Sequence, residues 1–373
     1  MIKSFFLKSL LGLLALIFIV AIGVFIFIKT APQFGAAPSG QHLAEIKKSP
    51  NYLKDKFVNI QETILEYSFS NSVKVMKAYN KAKNTAPKSA INTKFDQQKP
   101  AVSDSSIRVT WYGHSAILLE FTGKRIFLDP MLGDYAAPVP FFGQRFQNEP
   151  AIEIESVGKL DAVIFSHDHY DHLDYPTVKA IHEQVGHFFV PLGLGAHLKS
   201  WGVPANKITE LDWWQSATLG DLTFTAAPAR HFSGRSINDS NKTLWASWVI
   251  NSPEHNLYFS GDGGYGSHFK EIGKRLGPFE FAMMECGQYN ELWNQIHMMP
   301  EETVQASLDL NAKSMMPIHW GAFTLAPHAW TDPAERVKAA ADQNGLQLVT
   351  PEIGQSFMFP EVTPMTTWWR EVD

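Results

Sequence analysis

A dense run of imidazole and carboxylate side chains follows an apolar segment near the middle of the chain. Residues 166–172 read SHDHYDH and come directly after the apolar run 162–165. Neither the period of a helix nor that of a strand calls for such a cluster. Neutral imidazole and carboxylate are ligands that a divalent ion such as zinc accepts. Because the run ends an apolar strand, we expect its side chains on a loop that a rigid sheet holds in place.

The spacing within this run favours two metal ions rather than one. His167 and His169 can reach one ion, while Asp171 and His172 can reach a second. A solvated, histidine-rich turn is the alternative, and the order of the residues disfavours it.

Three more candidate ligands lie further along the chain, each at the end of an apolar segment: His231, Asp262 and His319. A single histidine at a strand end is more often structural, and an aspartate before glycine is usually a turn former. The glycines that flank Asp262 would let backbone approach an ion closely. Taken with the cluster at 166–172, the three residues predict a complete two-metal site.

Longer motifs accompany the candidate ligands. They are WYGHS at 111–115, FLDP at 127–130, SHDHYDHLD at 166–174, VPLG at 190–193, ELDWW at 210–214 and IHWG at 318–321, together with Asp239, Asn241, LW at 244–245 and Trp248. The ordered ligand pattern is similar to that of the metallo-β-lactamase fold superfamily, and with these motifs the chain resembles its N-acylphosphatidylethanolamine-hydrolysing phospholipase D branch. The resemblance extends from about residue 57 to 357. It implies an α/β fold, a four-layer αββα sandwich with a dinuclear zinc site at one edge.

The resemblance implies two Zn²⁺ ions per chain and seven ligands, three for each ion and one shared by both. The ligands are His167, His169 and His231 for the first ion, Asp171, His172 and His319 for the second, and Asp262 as the bridge.

Other residues are expected beside the ligands. His114 and Asp129 would orient ligands from outside the metal shell, and Asp168 is read as a loop carboxylate in a similar outer position. His297 matches a cavity histidine of the family; either it binds phosphate or protonates the leaving group, or it is structural. Ile296 stands where the animal enzymes have glutamine, which is a departure from the family pattern in the substrate contacts.

The implied reaction is hydrolysis of a phospholipid. Zinc lowers the pKa of bound water, and a hydroxide shared by two ions about 3.5–4 Å apart would attack the phosphorus of a phosphodiester. Asp171 and Asp262 would hold the metals and accept a proton, and the products would be a phosphatidic acid and an N-acylethanolamine or related alcohol. A lactonase or a hydrolase of phosphorylated sugars is the alternative, because it would share the ligand set.

Two other classes fit less well. Related iron proteins that reduce oxygen tend to have glutamate where His169 stands, and a scaffold without metals would be expected to have lost ligands, whereas all seven positions are filled.

Composition limits the kinds of metal site and of partner further. The 373 residues include one cysteine, Cys286, which excludes an intrachain disulfide and a cysteine-rich zinc site. The net charge of −5 gives no reason to expect a nucleic-acid partner. The sequence leaves a homodimer open.

The N-terminus predicts a membrane anchor. Residues 9–28 are uncharged and almost wholly apolar, which is long enough to cross a bilayer core. A cleavable signal peptide is the alternative, but its apolar stretch is usually shorter. Lys3 and Lys8 precede the stretch, so we expect a single-pass anchor in the inner membrane with the catalytic domain on the outer, periplasmic face.

These segments define three predicted regions. Residues 1–30 are the anchor, 31–105 a tether and partly irregular basic segment, and 106–373 the hydrolase domain. The lysine-rich stretch 71–101 either lies on anionic headgroups or is a solvated linker. The elements expected to position the site are strands at 107–111, 116–121, 125–128, 162–165, 188–191, 222–226, 244–250 and 256–260 and helices at 174–183, 266–276, 300–310 and 332–343.

Overall fold

The structure is a computed structural model that describes residues 2–64, 68–95, 97–99, 102 and 106–372. Within these residues the helices are α1 (Ile2–Thr30), α2 (Gly40–Ile46), α3 (Phe69–Lys81), α4 (Tyr175–Ile181), α5 (Gly195–Ser200), α6 (His268–Leu276), α7 (Pro300–Asp309) and α8 (Asp332–Asn344). The strands are β1 (Tyr52–Leu53), β2 (Lys56–Phe57), β3 (Ile91–Asn92), β4 (Ile107–Trp111), β5 (Ile117–Phe121), β6 (Lys124–Leu128), β7 (Asn148–Glu149), β8 (Leu160–Ile164), β9 (Val185–Pro191), β10 (Ile208–Leu211), β11 (Ser216–Leu219), β12 (Leu222–Ala227), β13 (Ser247–Asn251), β14 (Asn256–Phe259), β15 (Phe279–Glu285), β16 (Ala312–Ile318), β17 (Gln347–Leu348) and β18 (Ser356–Phe359).

Two seven-stranded sheets pack face to face. The first has the order β10-β9-β8-β6-β5-β4-β18, and the second has the order β11-β12-β13-β14-β15-β16-β17. Strand β5 is apolar on both faces because both are covered: Ile117 and Leu119 face the core between the sheets, while Leu118 faces a second core with α4 and α5. Helices α6, α7 and α8 cover the outer face of the second sheet. The architecture is therefore the αββα sandwich that the sequence predicted.

Parallel strand pairs bring the carboxyl ends of several strands to one edge. In the first sheet β6, β8, β9 and β10 run parallel, and in the second β14, β15, β16 and β17 do so. Parallel neighbours require crossover connections, which α4, α5, α6, α7 and α8 provide. The loops that follow β6, β8, β14, β15 and β16 therefore meet at the same edge of the sandwich.

The helices that carry these crossovers begin at recognisable signals. The Asp174 side chain accepts a hydrogen bond from the Thr177 backbone N–H and caps α4, with Pro176 in its first turn. Helix α8 ends at Gly345, whose φ is 64°. These signals are local, which is why the predicted helices lie within a few residues of the observed ones.

One predicted strand begins three residues too early. The prediction of 244–250 is corrected to β13 at Ser247–Asn251. Leu244 and Ala246 instead donate their backbone N–H groups to Leu192 and Ser166, which belong to loops of the first sheet. These apolar residues join the two sheets, and apolar character alone does not distinguish that role from a strand.

The N-terminal region has more regular structure than a tether. Helix α1 contains a 26-residue segment, Phe5–Thr30, that is long and apolar enough to cross a membrane, and none of its most apolar window is buried against the protein. After it, residues 32–57 form a short 3₁₀ turn at Pro32–Phe34, α2 and the β1–β2 hairpin, with Ile46 and Phe57 in the core. Part of the basic stretch forms α3. The boundaries at residues 30 and 105 stay predictions.

Candidate metal centre

Imidazole groups from two separate loops meet at the shared edge of the sandwich. The ring nitrogens of His167, His169 and His231 converge: Nε2 of His167 lies 2.9 Å and Nε2 of His231 lies 3.2 Å from Nδ1 of His169. Two residues come from the loop after β8, and His231 follows β12. The structure thus brings together the three residues expected around the first ion.

A second group lies beside the first and contains Asp171, His172 and His319. Oδ2 of Asp171 is 3.6 Å from Nε2 of His172 and 3.9 Å from Nε2 of His319. His114 joins this group, because its Nε2 lies 2.9 Å from the same carboxylate oxygen. The hydrogen bond occupies His114 with orienting Asp171, as expected from its position after β4.

Asp262 lies between the two groups. Its Oδ2 is 3.8 Å from Nε2 of His167 and 3.0 Å from Nε2 of His172, and its Oδ1 is 3.2 Å from Nδ1 of His319. The carboxylate therefore faces ligands of both groups, which is the position that a bridging ligand needs.

Hydrogen bonds behind the ligands fix which ring nitrogen faces the site. Asp129, after β6, accepts hydrogen bonds from the backbone and hydroxyl of Ser166 and lies 2.7 Å from Nδ1 of His172. Nδ1 of His231 donates to the carbonyl of Ile296 at 2.9 Å. The rings of His172 and His231 are thereby held with Nε2 directed towards the site. Outer partners orient metal-binding histidines in this way.

The buried atoms fit a bound cation. Nε2 of His172 and Oδ1 of Asp262 are buried and have no hydrogen-bond partner among the described residues. Leaving a buried polar atom without a hydrogen-bond or metal partner costs free energy. Two divalent cations among these donors would satisfy both, and the mixture of imidazole nitrogen and carboxylate oxygen suits zinc.

Electrostatics keep four of the five candidate ligand imidazoles in the metal-binding form. Burial lowers the pKa of His167, His231 and His319 well below the ordinary value and lowers that of His169 to about 4. A neutral imidazole at pH 7 has a lone pair free for a metal, whereas a protonated one does not.

The carboxylates and His172 respond differently to the same surroundings. Burial raises the pKa of Asp262 to about 6. For Asp171 burial acts in the same direction, but His172 and His114 outweigh it and hold the pKa well below the usual range. Burial opposes the charged form of His172, yet the surrounding carboxylates raise its pKa. The carboxylates thus favour a positive charge at this position, and a bound metal cation would take the place of the proton on His172.

Asp168 faces away from the ligand groups. Its oxygens accept hydrogen bonds from the Gly234 backbone at 2.7 Å and from the Thr243 hydroxyl at 2.8 Å, and one lies 3.3 Å from Nε2 of His197. These contacts hold the loop between His167 and His169, in line with the sequence interpretation of a loop carboxylate.

His297 lies at the site together with a residue that sequence analysis missed. Its ring stacks on His319 with centroids 5.2 Å apart, and its Nδ1 is 2.9 Å from a carboxylate oxygen of Glu285. Glu285 is fully buried at the end of β15, and burial raises its pKa well above the ordinary value. A charged residue closing the apolar segment FAMME at 281–285 was the available signal, the same one that identified Asp262.

A cavity of about 660 Å³ opens onto these groups. His169, Asp171, Asp262, His297 and His319 form its polar end. The rest of the wall is mainly apolar and includes four residues of α3, two of which are apolar. The apolar residues of the wall are Val75, Met76, Ala136, Phe142, Phe232, Leu292, Trp293, Ile296 and Leu325.

Comparisons with known proteins agree with this geometry. Residues 124–320 match the family model described as "Beta-lactamase superfamily domain". The chain is 40% identical over 329 residues to an uncharacterised protein of Mycobacterium tuberculosis (strain ATCC 25618 / H37Rv), covering 87% of this chain and 88% of that one. It is 33% identical over 271 residues to N-acyl-phosphatidylethanolamine-hydrolyzing phospholipase D 1 of Caenorhabditis elegans, covering 68% of this chain and 76% of that one.

A solved structure shows the same fold. Igni18, a metallo hydrolase of Ignicoccus hospitalis, superposes with a TM-score of 0.52 at 21% identity and covers 68% of this chain and 98% of its own. At that identity the likeness concerns the fold. With the ligand geometry and the family match, it leads to one conclusion: the chain is a metal-dependent hydrolase that belongs to the metallo-β-lactamase superfamily, in the branch of the N-acylphosphatidylethanolamine-hydrolysing phospholipases D.

Proposed function

We propose that the protein is a membrane-anchored, zinc-dependent phosphodiesterase that hydrolyses N-acylphosphatidylethanolamine-like phospholipids. The observation that carries this proposal is the composition of the cavity. One end presents two groups of metal ligands, and the walls are apolar. A phosphodiester could lie at the ligands while acyl chains contact the walls, and a volume of about 660 Å³ is within the usual range for small-molecule sites.

Seven side chains would hold the metals. In this proposal each ion has three ligands of its own and Asp262 is shared. Bound there, two zinc ions would lower the pKa of water towards 7 and neutralise charge that builds on phosphoryl oxygens. The ligands are His167, His169 and His231 for one ion and Asp171, His172 and His319 for the other.

The protein's own groups would orient the reactants and move protons. Asp262 and Asp171 each border the space between the ligand groups and the cavity, where an attacking water would lie. Glu285 engages Nδ1 of His297, which leaves Nε2 as the nitrogen available to substrate. We assign to His297 the transfer of a proton to the leaving alkoxide oxygen, which is within reach of a histidine at the cavity wall.

The anchor would keep the enzyme at its substrate. Helix α1 would span the inner membrane, and the catalytic domain would lie on the periplasmic face. Protease added to intact spheroplasts should then remove a tag placed at the C-terminus. Protection of that tag would show that the catalytic domain lies on the opposite, cytoplasmic face.

The decisive experiment combines turnover with metal counting in one sample. Purified full-length protein is assayed with N-acylphosphatidylethanolamine in mixed micelles, and its metal content is measured. We expect about two zinc ions per chain and release of phosphatidic acid. Two ions without lipid turnover, together with hydrolysis of lactones or phosphorylated sugars, would replace the lipid proposal by its alternative.

A further inference from the structure

The segment that follows α1 is held firmly on the catalytic body. We call residues 32–36 the clamp segment. The carbonyl of Pro32 accepts a hydrogen bond from the Trp201 indole at 2.7 Å, and the carbonyl of Gln33 accepts two from the Arg235 guanidinium at 2.9 and 2.7 Å. The Ala36 backbone N–H donates to Nδ1 of His197 at 3.1 Å. The connection between membrane helix and body is therefore a fixed joint.

The joint leaves almost no free chain. Only Ala31 separates the end of α1 at Thr30 from Pro32, a step of two residues that spans at most about 7 Å. Aromatic contacts cross even this gap: Phe27 in α1 packs on Phe34 at 5.5 Å, and Phe34 packs on Tyr170 at 6.4 Å between ring centroids. The body must therefore touch the bilayer surface from which α1 emerges.

A hydrophobic loop lies directly beside this joint. Residues 135–144, which we call the apolar loop, carry no charge and read YAAPVPFFGQ. The Gln33 amide donates to the carbonyl of Pro138 at 2.8 Å, which ties the loop to the clamp segment. Phe141 is 84% exposed and Phe142 is 57% exposed. Two neighbouring phenylalanines exposed at a loop tip mark an interaction surface.

The same loop forms part of the cavity mouth. Ala136 and Phe142 line the metal cavity, and so does Tyr170, which contacts the clamp segment. On the other side of the cavity α3 contributes Val75 and Met76. That helix carries several exposed lysines and no acid, and residues 68–95 contain no aspartate or glutamate at all. Positive charge beside the mouth suits anionic lipid headgroups.

We propose that the apolar loop and the clamp segment hold the mouth of the metal cavity against the bilayer that contains α1, with Phe141 and Phe142 inserted at the interface. A lipid can then move from the membrane into the cavity without crossing water. This inference deepens the proposed function, on which its catalytic consequence rests, but the docking itself is measurable without turnover.

The first test measures the depth of the loop. Phe141→Cys is labelled with bimane in the full-length protein, reconstituted into vesicles of phosphatidylethanolamine and phosphatidylglycerol that contain a lipid-borne nitroxide. The native Cys286 is buried and gives a low labelling background in the unsubstituted protein. The matched control is Val362→Cys, an exposed apolar residue that follows β18 at the end opposite the metal edge.

The expected result is strong quenching of the label at position 141 and none at position 362. Equal fluorescence with and without nitroxide at position 141 would overturn the proposal, and so would equal quenching at both positions.

The second test compares lipid with a soluble substrate. Phe141→Asp should lower kcat/KM for N-acylphosphatidylethanolamine in vesicles by about tenfold, which corresponds to about 1.4 kcal/mol, and leave hydrolysis of bis(p-nitrophenyl) phosphate unchanged. Val362→Asp should change neither. An equal loss for both variants, or an equal loss on both substrates, would contradict a role in lipid entry. If no variant hydrolyses the lipid while position 141 is quenched, the proposed substrate fails and the docking surface stands.

Discussion

At the scale of single residues, the site combines neutral imidazoles with buried carboxylates. Burial lowers the pKa of most ligand histidines, so that protons compete weakly with a metal at neutral pH. The same burial makes isolated charges on Asp171 and Asp262 unfavourable without a nearby cation. The arrangement is therefore one that metal binding stabilises, and each ligand should matter to metal content as well as to turnover.

Removing a ligand should cost both metal and activity. His231→Ala is expected to release the ion held with His167 and His169, because an ion held by three histidines and the shared Asp262 would lose one of its four protein ligands. Activity should fall by more than the roughly 10–100-fold that loss of an outer partner costs. His187→Ala, which removes a half-buried histidine near the start of β9, is the control. Unchanged zinc content in His231→Ala would show that the ligand assignment is wrong.

Glu285 should act through His297 rather than on the substrate directly. Glu285→Gln keeps the shape of the side chain but replaces the carboxyl group that contacts Nδ1 of His297 by an amide. We expect kcat to fall about 10- to 100-fold with metal content and KM retained. The double variant with His297→Gln should be no slower than His297→Gln alone, since the two residues act as a unit.

The same strand offers a control for this pair. Glu280 lies near the other end of β15 and contacts Nδ1 of His255 at 2.6 Å, so Glu280→Gln breaks an equivalent carboxylate–imidazole contact far from the metals. Equal losses of activity in the Glu280 and Glu285 variants would indicate a general effect on folding.

At the scale of elements, loops after strands position the site, and close backbone approach limits which residues they tolerate. Gly264 packs on the segment that carries His297: a Cβ there would lie 2.1 Å from the Gln295 carbonyl oxygen. At the adjacent Gly263 the atom nearest to a Cβ would be the Arg230 backbone nitrogen, at 3.3 Å. The neighbouring glycines thus differ in what a single methyl group would displace.

This difference predicts opposite tolerance to the same substitution. Gly264→Ala should displace residues 295–297, lower activity, and reduce the free energy of unfolding by about 1–3 kcal/mol. Gly263→Ala should retain most of the activity and most of the free energy of unfolding. Chemical denaturation and turnover of the two variants measured side by side check this, and equal behaviour would refute the packing argument.

At the scale of the whole molecule, folding buries a histidine that has no role at the metals, His268 at the start of α6. Burial, with a smaller contribution from Arg230, lowers the pKa of His268 to about 3. In the unfolded chain this imidazole takes up a proton below about pH 6.5. The unfolded state therefore binds more protons as pH falls, and the stability that the neutral His268 contributes is complete above about pH 6.5 and is lost progressively towards pH 3.

Replacing His268 should remove this part of the acid sensitivity. Between pH 6.5 and pH 5.5 the wild type should lose about 1 kcal/mol more stability than His268→Gln does. Urea unfolding of both proteins in detergent at the two pH values measures the difference. The control is His182→Gln, at a more exposed position, which should lose the same stability between the two pH values as the wild type. Equal losses of stability in the wild type and in His268→Gln would exclude this explanation.

The sequence determined most of the metal site and the elements that carry it. Each candidate ligand lies in a short run that follows an apolar segment, and that pattern is local, so it can be recognised in the sequence. The fold class followed from the same motifs through their resemblance to a family. The predicted helices lie close to the observed ones because caps and periodicity are also local signals.

Tertiary structure alone decided the features that depend on distant segments. Glu285 meets His297 across 12 residues of chain, and the clamp segment meets Arg235 across 202. The sequence presented residues 31–105 as a tether and partly irregular basic segment, since their mixed composition with few regular patterns is the same whether they are solvated or bound to the body. The apolar loop became a candidate membrane contact only once its place between the anchor and the cavity was visible. Local patterns specify which side chains can react, whereas packing between the sheets and loops specifies which of them meet.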